Sequence, residues 1–236
     1  MRKTYTLLIL LIATTALKAQ MSVGFNFIGS GFGPLNSVID RYNGLRPWLD
    51  KEMGNAGFMF GATIAPGFST KDGKFAYQAL TLRKNSVRLT AKGNDQKRDL
   101  SIRLWTVNVF DMTYYPLHIG KFSLGGGVSP IELSRLKIRG RVDNDEFETY
   151  WKTPAIEGIF LTQASSTPHI DFRYRLNPEK GMYAHFRLFW TLSWFNDEHM
   201  VFVNDKLNGF GEANNHYGTQ NMGINHMGFQ FLLDLF

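Results

Sequence analysis

Between residues 182 and 194 the chain alternates strictly. Ala184, Phe186, Leu188, Trp190, Leu192 and Trp194 fall on one side, and Tyr183, His185, Arg187, Phe189, Thr191 and Ser193 on the other. Successive side chains of a β-strand point to opposite faces, so this segment makes a strand with one wholly apolar surface carrying two tryptophans. Residues 169–176 repeat the pattern, with Ile170, Phe172, Tyr174 and Leu176 set against His169, Asp171, Arg173 and Arg175. Residues 221–236 set Met227, Phe229, Phe231, Leu233 and Leu235 against His226, Gly228, Gln230 and Asp234. Beyond the first 19 residues no run approaches the about 18 consecutive apolar residues of a spanning helix, which excludes a helical membrane protein.

Five further segments complete a set of eight strands: 21–28, 57–66, 74–92, 98–115 and 121–131. Three connections are short and rich in turn residues, at 69–73 with Lys71-Asp72-Gly73, at 116–120, and at 177–181 with Asn177-Pro178-Glu179-Lys180-Gly181. Those of opposite parity span 29–56, 93–97, 134–168 and 195–220, and three of these four are long. Short turns at one end and long loops at the other are the habit of outer-membrane barrels, whose turns lie in the periplasm. In the fourth segment Leu100, Ile102 and Leu104 share a phase with Phe110, Met112 and Tyr114, while Thr106 and Asn108 interrupt it; either a bulge repairs the phase, or the middle of this strand faces a neighbour, or the segment is misassigned. Polar residues beyond Arg83 predict that 84–97 projects past the membrane as a hairpin.

Alternation alone also describes a secreted sandwich or a soluble barrel. Two features favour a bilayer. Trp190, Trp194, Tyr174, Tyr114 and Tyr115 cluster towards strand ends, where an interfacial aromatic girdle sits. The opposite faces of the last three strands gather His169, Asp171, Arg173, Arg175, His185, Arg187, Gln230 and Asp234, a set of mixed sign that can pair within one lumen. Phe186, Leu188, Trp190, Trp194, Phe229, Phe231 and Leu233 are then the lipid-facing or girdle positions. The expected fold is an all-β, eight-stranded, antiparallel up-and-down transmembrane barrel.

Arg2 and Lys3, an apolar run over 7–13, and small residues at Ala16 and Ala19 compose a secretory signal, expected to be cleaved after Ala19 and to leave one barrel domain over 20–236. Losing Arg2, Lys3 and Lys18 leaves 23 basic against 20 acidic residues, a net charge of +3 instead of +6. That balance carries no basic block of the kind that binds nucleic acid. The absence of cysteine excludes a lipid-anchored lipoprotein, disulfides and thiol chemistry.

The signal ending Lys18-Ala19-Gln20, the eight alternating segments, the glycine-rich Phe122-Ser123-Leu124-Gly125-Gly126-Gly127 and the terminal run 229–236 together resemble the outer-membrane β-barrel domain family common in Bacteroidota, labelled porin-like or PorT-like. The resemblance covers the whole mature chain and implies residence in the outer membrane of a Gram-negative cell. It also implies a terminal aromatic residue, here Phe236, read by the barrel-assembly machinery. Asp234 and Gln230 share the phase of Phe236, whereas the family keeps that phase apolar.

Other motifs are bland. Gly33-Pro34 followed by Leu35, Val38, Ile39, Tyr42 and Leu45 predicts a short amphipathic helix in the first long loop, either lying at the mouth or outer leaflet with Trp48 as an anchor, or packing on loop residues. The acidic run 143–148 lacks the spacing and glycine of a calcium loop. The six histidines form no metal-binding or hydrolase motif, and no cofactor is expected. Function is expected to be non-enzymatic: a structural or partner-binding envelope component acting through its long loops among outer-membrane lipids. The alternatives are a narrow porin-like passage for small solutes, or an outer-membrane enzyme acting on lipid or peptide through Ser193 with His185 or His169.

Overall fold

The computed structural model describes residues 20–29, 36, 39–40, 43–44, 46–70, 72–152, 163–177, 181–193, 201–202 and 225–235. The signal over 1–19, Trp194, Phe236 and the expected loop 195–220, apart from Val201 and Phe202, lie outside the described residues.

The strands are β1 (Gln20–Ile28), β2 (Met59–Ser69), β3 (Phe75–Gly93), β4 (Gln96–Ile119), β5 (Phe122–Val142), β6 (Glu148–Lys152), β7 (Gln163–Asn177), β8 (Met182–Trp190), β9 (Leu192–Ser193), β10 (Val201–Phe202) and β11 (Met227–Asp234). Eight of them form one antiparallel ring in the order β1, β2, β3, β4, β5, β7, β8, β11. β11 closes it against β1, from Ser22↔Asp234 to Ile28↔Gly228. Closure leaves the ring without a free edge. β6 and β10 extend β5 outside the ring, and β9 pairs with β7 beyond a break at Thr191.

Inside and outside are inverted relative to a soluble protein. Phe60, Ile64, Ile170, Phe186 and Leu188 stand outward and about half exposed, at 55%, 48%, 48%, 44% and 46%, while Arg83, Glu132, Asp171, Arg173 and Arg187 are at most 4% exposed. An outer surface of large apolar side chains around a charged interior suits hydrocarbon as the surrounding solvent. The outer face is knitted by cross-strand ring pairs: Phe25 with Phe231 at 5.3 Å, Phe27 with Phe229 at 4.7 Å, and Phe122 with Phe172 at 5.4 Å between centroids. Tyr114 stands outward beside Phe75, at 4.9 Å. Tyr115 does not join the girdle; it points inward and is fully buried.

The phase problem of β4 has a specific cause. Asn108 points in, Val109 and Phe110 lie outward, and Asp111 points in, with Phe110 at φ 57°. The same double step occurs at Ala79-Leu80 on β3 and at Pro130-Ile131 on β5. Each of these strands carries one extra residue at that height, so β3–β4–β5 stay in register with one another there and the shifts appear at the borders with β2, between Ile64 and Gly67, and with β7, between Ser129 and Glu132; β4 and β5 shift separately nearer the turn end, between Tyr114 and Leu117. Leu100, Ile102 and Leu104 therefore face the interior, opposite to Phe110, Met112 and Tyr114, which corrects the expectation that the two sets share a face.

β3 and β4 pair without interruption from Leu80↔Val109 to Gly93↔Gln96. Asn94 and Asp95 turn the hairpin with φ 48° and 59°, the left-handed pair of a tight two-residue turn. β5 continues to Val142 and β7 starts at Gln163, so the connection expected over 134–168 is shorter than the sequence suggested. Within the first long connection, Asn36, Ile39, Asp40, Asn43 and Gly44 are helical. Asn36 and Asn43 tie that segment to the descending chain, Asn36 Oδ1 accepting from Ala56 N (2.8 Å) and Asn43 Oδ1 from Met53 N (3.0 Å).

Candidate functional site

The features that set this barrel apart lie in its interior, which is filled at two levels. At the loop end Leu89, Ala91, Leu100, Ile102, Leu104, Leu136 and Ile138 point inward from the extended β3, β4 and β5. Ile39, Met53 and Ala56 of the first long connection pack with them, together with Ile28, Met59 and Phe189. Ile39 is buried in this plug, and Trp48 packs against the hairpin tip beside Gly93 and Arg98; Gly33, Pro34, Leu35, Val38, Tyr42 and Leu45 of the expected helix lie outside the described residues. The extended strands thus close with apolar side chains over the first long connection.

Below the plug the lumen is polar. Arg83 donates through Nε to Thr106 (2.9 Å), through Nη2 to Asn108 (3.0 Å), and to Glu132 in a fully buried ion pair. Glu132 also accepts from Thr167 (2.7 Å) and Thr191 (3.2 Å), and His226 Nε2 lies 3.1 Å from Thr191 Oγ1. The Arg83 guanidinium lies 4.3 Å from the Phe189 ring centre, where plug and network meet.

The next set is centred on Arg187. It donates through Nε to Asp171 (3.0 Å), and through Nη1 to Asp111 (2.9 Å) and Gln78 (3.2 Å). His185 bridges two carboxylates, with Nδ1 3.2 Å from Asp171 and Nε2 3.4 Å from Asp234. Ser22 donates to Asp234 (2.7 Å), and His169 lies 2.8 Å from Thr113 Oγ1. On the β1–β2 side Gln230 donates to Thr63, Thr63 to Asn26, and Asn26 to Asn85, at 3.0, 3.0 and 2.7 Å.

Arg173 closes the turn end. Its guanidinium carbon lies 3.6 Å from the Tyr115 ring centre and 4.2 Å from that of Tyr183, and Nη2 donates to the Gly73 carbonyl. Arg175 is half-buried beside it and donates to Tyr183 Oη (3.2 Å). Gly125 and Gly127 face this interior, and neighbouring rings fill the space beside them. A Cβ on Gly125 would meet the Tyr115 ring at 2.7 Å, and one on Gly127 the His169 ring at 2.6 Å.

His169, Asp171, Arg173, His185, Arg187, Gln230 and Asp234 are thus all buried inside the ring, with Arg175 at its rim. Outside, Phe186, Leu188 and Phe231 are exposed and Trp190, Phe229 and Leu233 half-exposed. Sequence reasoning missed Arg83, Asp111, Glu132, Gln78 and the Asn26–Asn85 pair. The available signal was Glu132 itself, a lone carboxylate between Ile131 and Leu133 in an otherwise apolar strand, since ionisable groups at membrane depth face an interior and have a partner.

Chemically the arrangement locks. Asp171, Asp234 and Glu132 each receive donors from at least two residues, and among the described residues no group of histidines and acids could hold a metal ion. In the acidic run Asp143 Oδ1 accepts from Lys97 N (2.6 Å), which ties the β5 end to the hairpin.

Fold and interior together define an eight-stranded transmembrane β-barrel with a packed, charge-paired lumen, the width at which side chains alone fill the interior. No protein-family model and no curated protein matches the sequence. Two solved structures are similar in chain path: outer membrane protein OprG from Pseudomonas aeruginosa, 11% identical, with 92% of each chain covered and a TM-score of 0.39; and CarO2 from Acinetobacter baumannii, 8% identical, with 91% of this chain and 99% of that one covered and a TM-score of 0.27.

Proposed function

We propose that this chain is a non-enzymatic barrel of the Gram-negative outer membrane that keeps its lumen closed and acts through its loop end on a partner in the envelope. The observation that carries the reading is the double filling of the interior, with the Arg83 and Arg187 networks below and the apolar plug above. A lumen occupied at both levels leaves the loops as the surface that varies and binds. The turn end, where Gly73, Gly120 and Gly181 take positive φ, faces the periplasm in this reading. Removal of residues 1–19, and delivery by the barrel-assembly machinery through Phe236, belong to the same proposal, as does the resemblance to the porin-like and PorT-like family.

Two observations weigh against the alternatives. Small solutes would have to displace Ile39 and Met53 and then pass the Arg187 cluster. Hydrolysis at Ser193 would need an imidazole nitrogen turned to the serine, yet both nitrogens of His185 face Asp171 and Asp234, and Nε2 of His169 faces Thr113.

Fractionation of cells making the full chain tests the proposal. The protein is expected in outer-membrane fractions and to resist carbonate extraction; recovery in the soluble periplasm contradicts it. Shortening 203–217 is expected to leave insertion intact and to abolish association with the envelope component that co-purifies.

A further inference from the structure

On the outer face of β3, β4 and β5 the apolar surface stops at Trp105. Leu82, Val107 and Leu133 face one another across the three strands, and one step further towards the loop end the row is Lys84, Trp105 and Arg135. The row after that brings Arg103 beside Lys137. Directly opposed side chains on one face lie about 5 Å apart and diagonal ones about 7–8 Å apart, so four cations surround one indole. Trp105 is 40% exposed, Lys84 is exposed, and the Lys84 ammonium sits 4.9 Å from the indole ring centre.

Still further out the face is differently organised. Asp99 gathers Arg88, Lys97 and Arg141, and Phe147 lies over Arg88, Arg139 and Arg141 with ring-centre distances of 5.4, 5.6 and 4.8 Å. Arg88 and Arg141 therefore share one carboxylate and one covering ring. The cluster around Trp105 borders the lipid-facing surface directly, in the order apolar row, aromatic, cations. That is the order in which a bilayer presents chains, interface and headgroup phosphates.

We propose that Lys84, Arg103, Arg135 and Lys137, ranged around Trp105, form a binding site for the phosphate of an anionic lipid in the leaflet on the loop side. The assignment rests on the membrane-spanning reading above and adds a specific lipid contact to it. Two arguments select a lipid as the occupant. Among the described residues the site lies one register step beyond the row of Leu82, Val107 and Leu133, so a lipid whose chains lie on that row brings its headgroup to these cations. Its charge is complementary to phosphate, and guanidinium groups match phosphate oxygens with paired donors.

The test uses the full chain in phosphatidylcholine nanodiscs with and without diphosphoryl lipid A, with retained lipid A counted by native mass spectrometry after release. The wild type is expected to retain lipid A. Joint Lys84→Gln, Arg103→Gln, Arg135→Gln and Lys137→Gln is expected to lower retention at least about tenfold, since each cation at an anionic membrane surface contributes a several-fold factor. The pair Lys92→Gln and Lys97→Gln at the hairpin tip is expected to retain as the wild type does, and so is Lys84→Arg with Lys137→Arg. If the fourfold variant fails to fold, as judged by loss of heat-modifiable mobility, the pairs Lys84→Gln with Arg103→Gln and Arg135→Gln with Lys137→Gln are each expected to show a partial loss. Equal retention by wild type and cluster variants, or an equal loss from the tip variant, overturns the site. Failure of the wild type to enter nanodiscs at all would overturn the membrane-spanning reading instead.

Discussion

Arg187 Nη1 donates to Asp111 Oδ2 at 2.9 Å, joining β8 to β4 through the middle of the barrel although the two strands are not neighbours and 76 residues separate the pair. The same guanidinium holds Asp171 on β7 at 3.0 Å. Arg187→Gln would leave two buried carboxylates short of their cation, and removing one partner from a buried pair costs about 3–5 kcal/mol. Urea unfolding in detergent micelles is expected to show a loss of that size. A loss below about 1 kcal/mol would mean that the lumen is solvated rather than packed.

The neighbouring position tests the other face. Leu188 stands outward between Ile170 and Phe229. Leu188→Arg is expected to cost about 2–4 kcal/mol in lipid, the range for a cation at the midplane of a barrel wall. Folding yield into vesicles measures it, and a yield equal to that of the wild type would place Leu188 away from lipid.

Glycine positions on β5 discriminate the faces by volume alone. A Cβ on Gly127 would strike the Met112 carbonyl oxygen and the His169 ring, whereas on Gly126 the nearest atom is the His169 carbonyl oxygen at 3.6 Å. Gly127→Ala is expected to destabilise by about 1–3 kcal/mol through overpacking. Gly126→Ala is expected to be neutral, or stabilising by up to about 1 kcal/mol through the unfolded chain. Thermal unfolding of the two variants under one condition decides; a reversed order would invert the assigned faces.

The strands that were legible and those that were not differ in one physical respect. β7 as far as Arg173, β8 and β11 alternate without an extra residue, so the charged face carrying His169, Asp171, Arg187 and Asp234 reads directly from the sequence. On β3, β4 and β5 the shared bulge row reverses the phase midway, and Arg83, Asp111 and Glu132 lose their common periodicity. The plug was illegible for another reason. Leu100, Ile102 and Leu104 facing inward against Ile39 have the same composition as lipid-facing residues, and only the length of the paired hairpin tells the two apart.

Asp99 supplies a pH dependence outside the spanning region. Burial pushes its carboxyl up, but hydrogen bonds from Arg88, Thr90 and Arg141 outweigh this and hold it well below its ordinary value of 3.8. A depressed carboxyl contributes stability that is fully present above the unfolded value and is lost as pH falls through the folded one. The hairpin extension is therefore expected to keep its full stability at neutral pH and to lose it progressively below about pH 4. Asp99→Asn is expected to flatten that dependence in circular dichroism melts. An unchanged acid slope in the variant would assign the effect to other carboxylates.

The lumen is filled at two levels, by Arg187 with Asp111 and Asp171 below and by Ile39, Met53 and Leu104 above. Planar-bilayer recording of the purified full chain tests this filling most directly. Insertion with little or no steady conductance is expected. Large, regular single-channel steps from the intact protein would contradict it and make solute passage the leading reading.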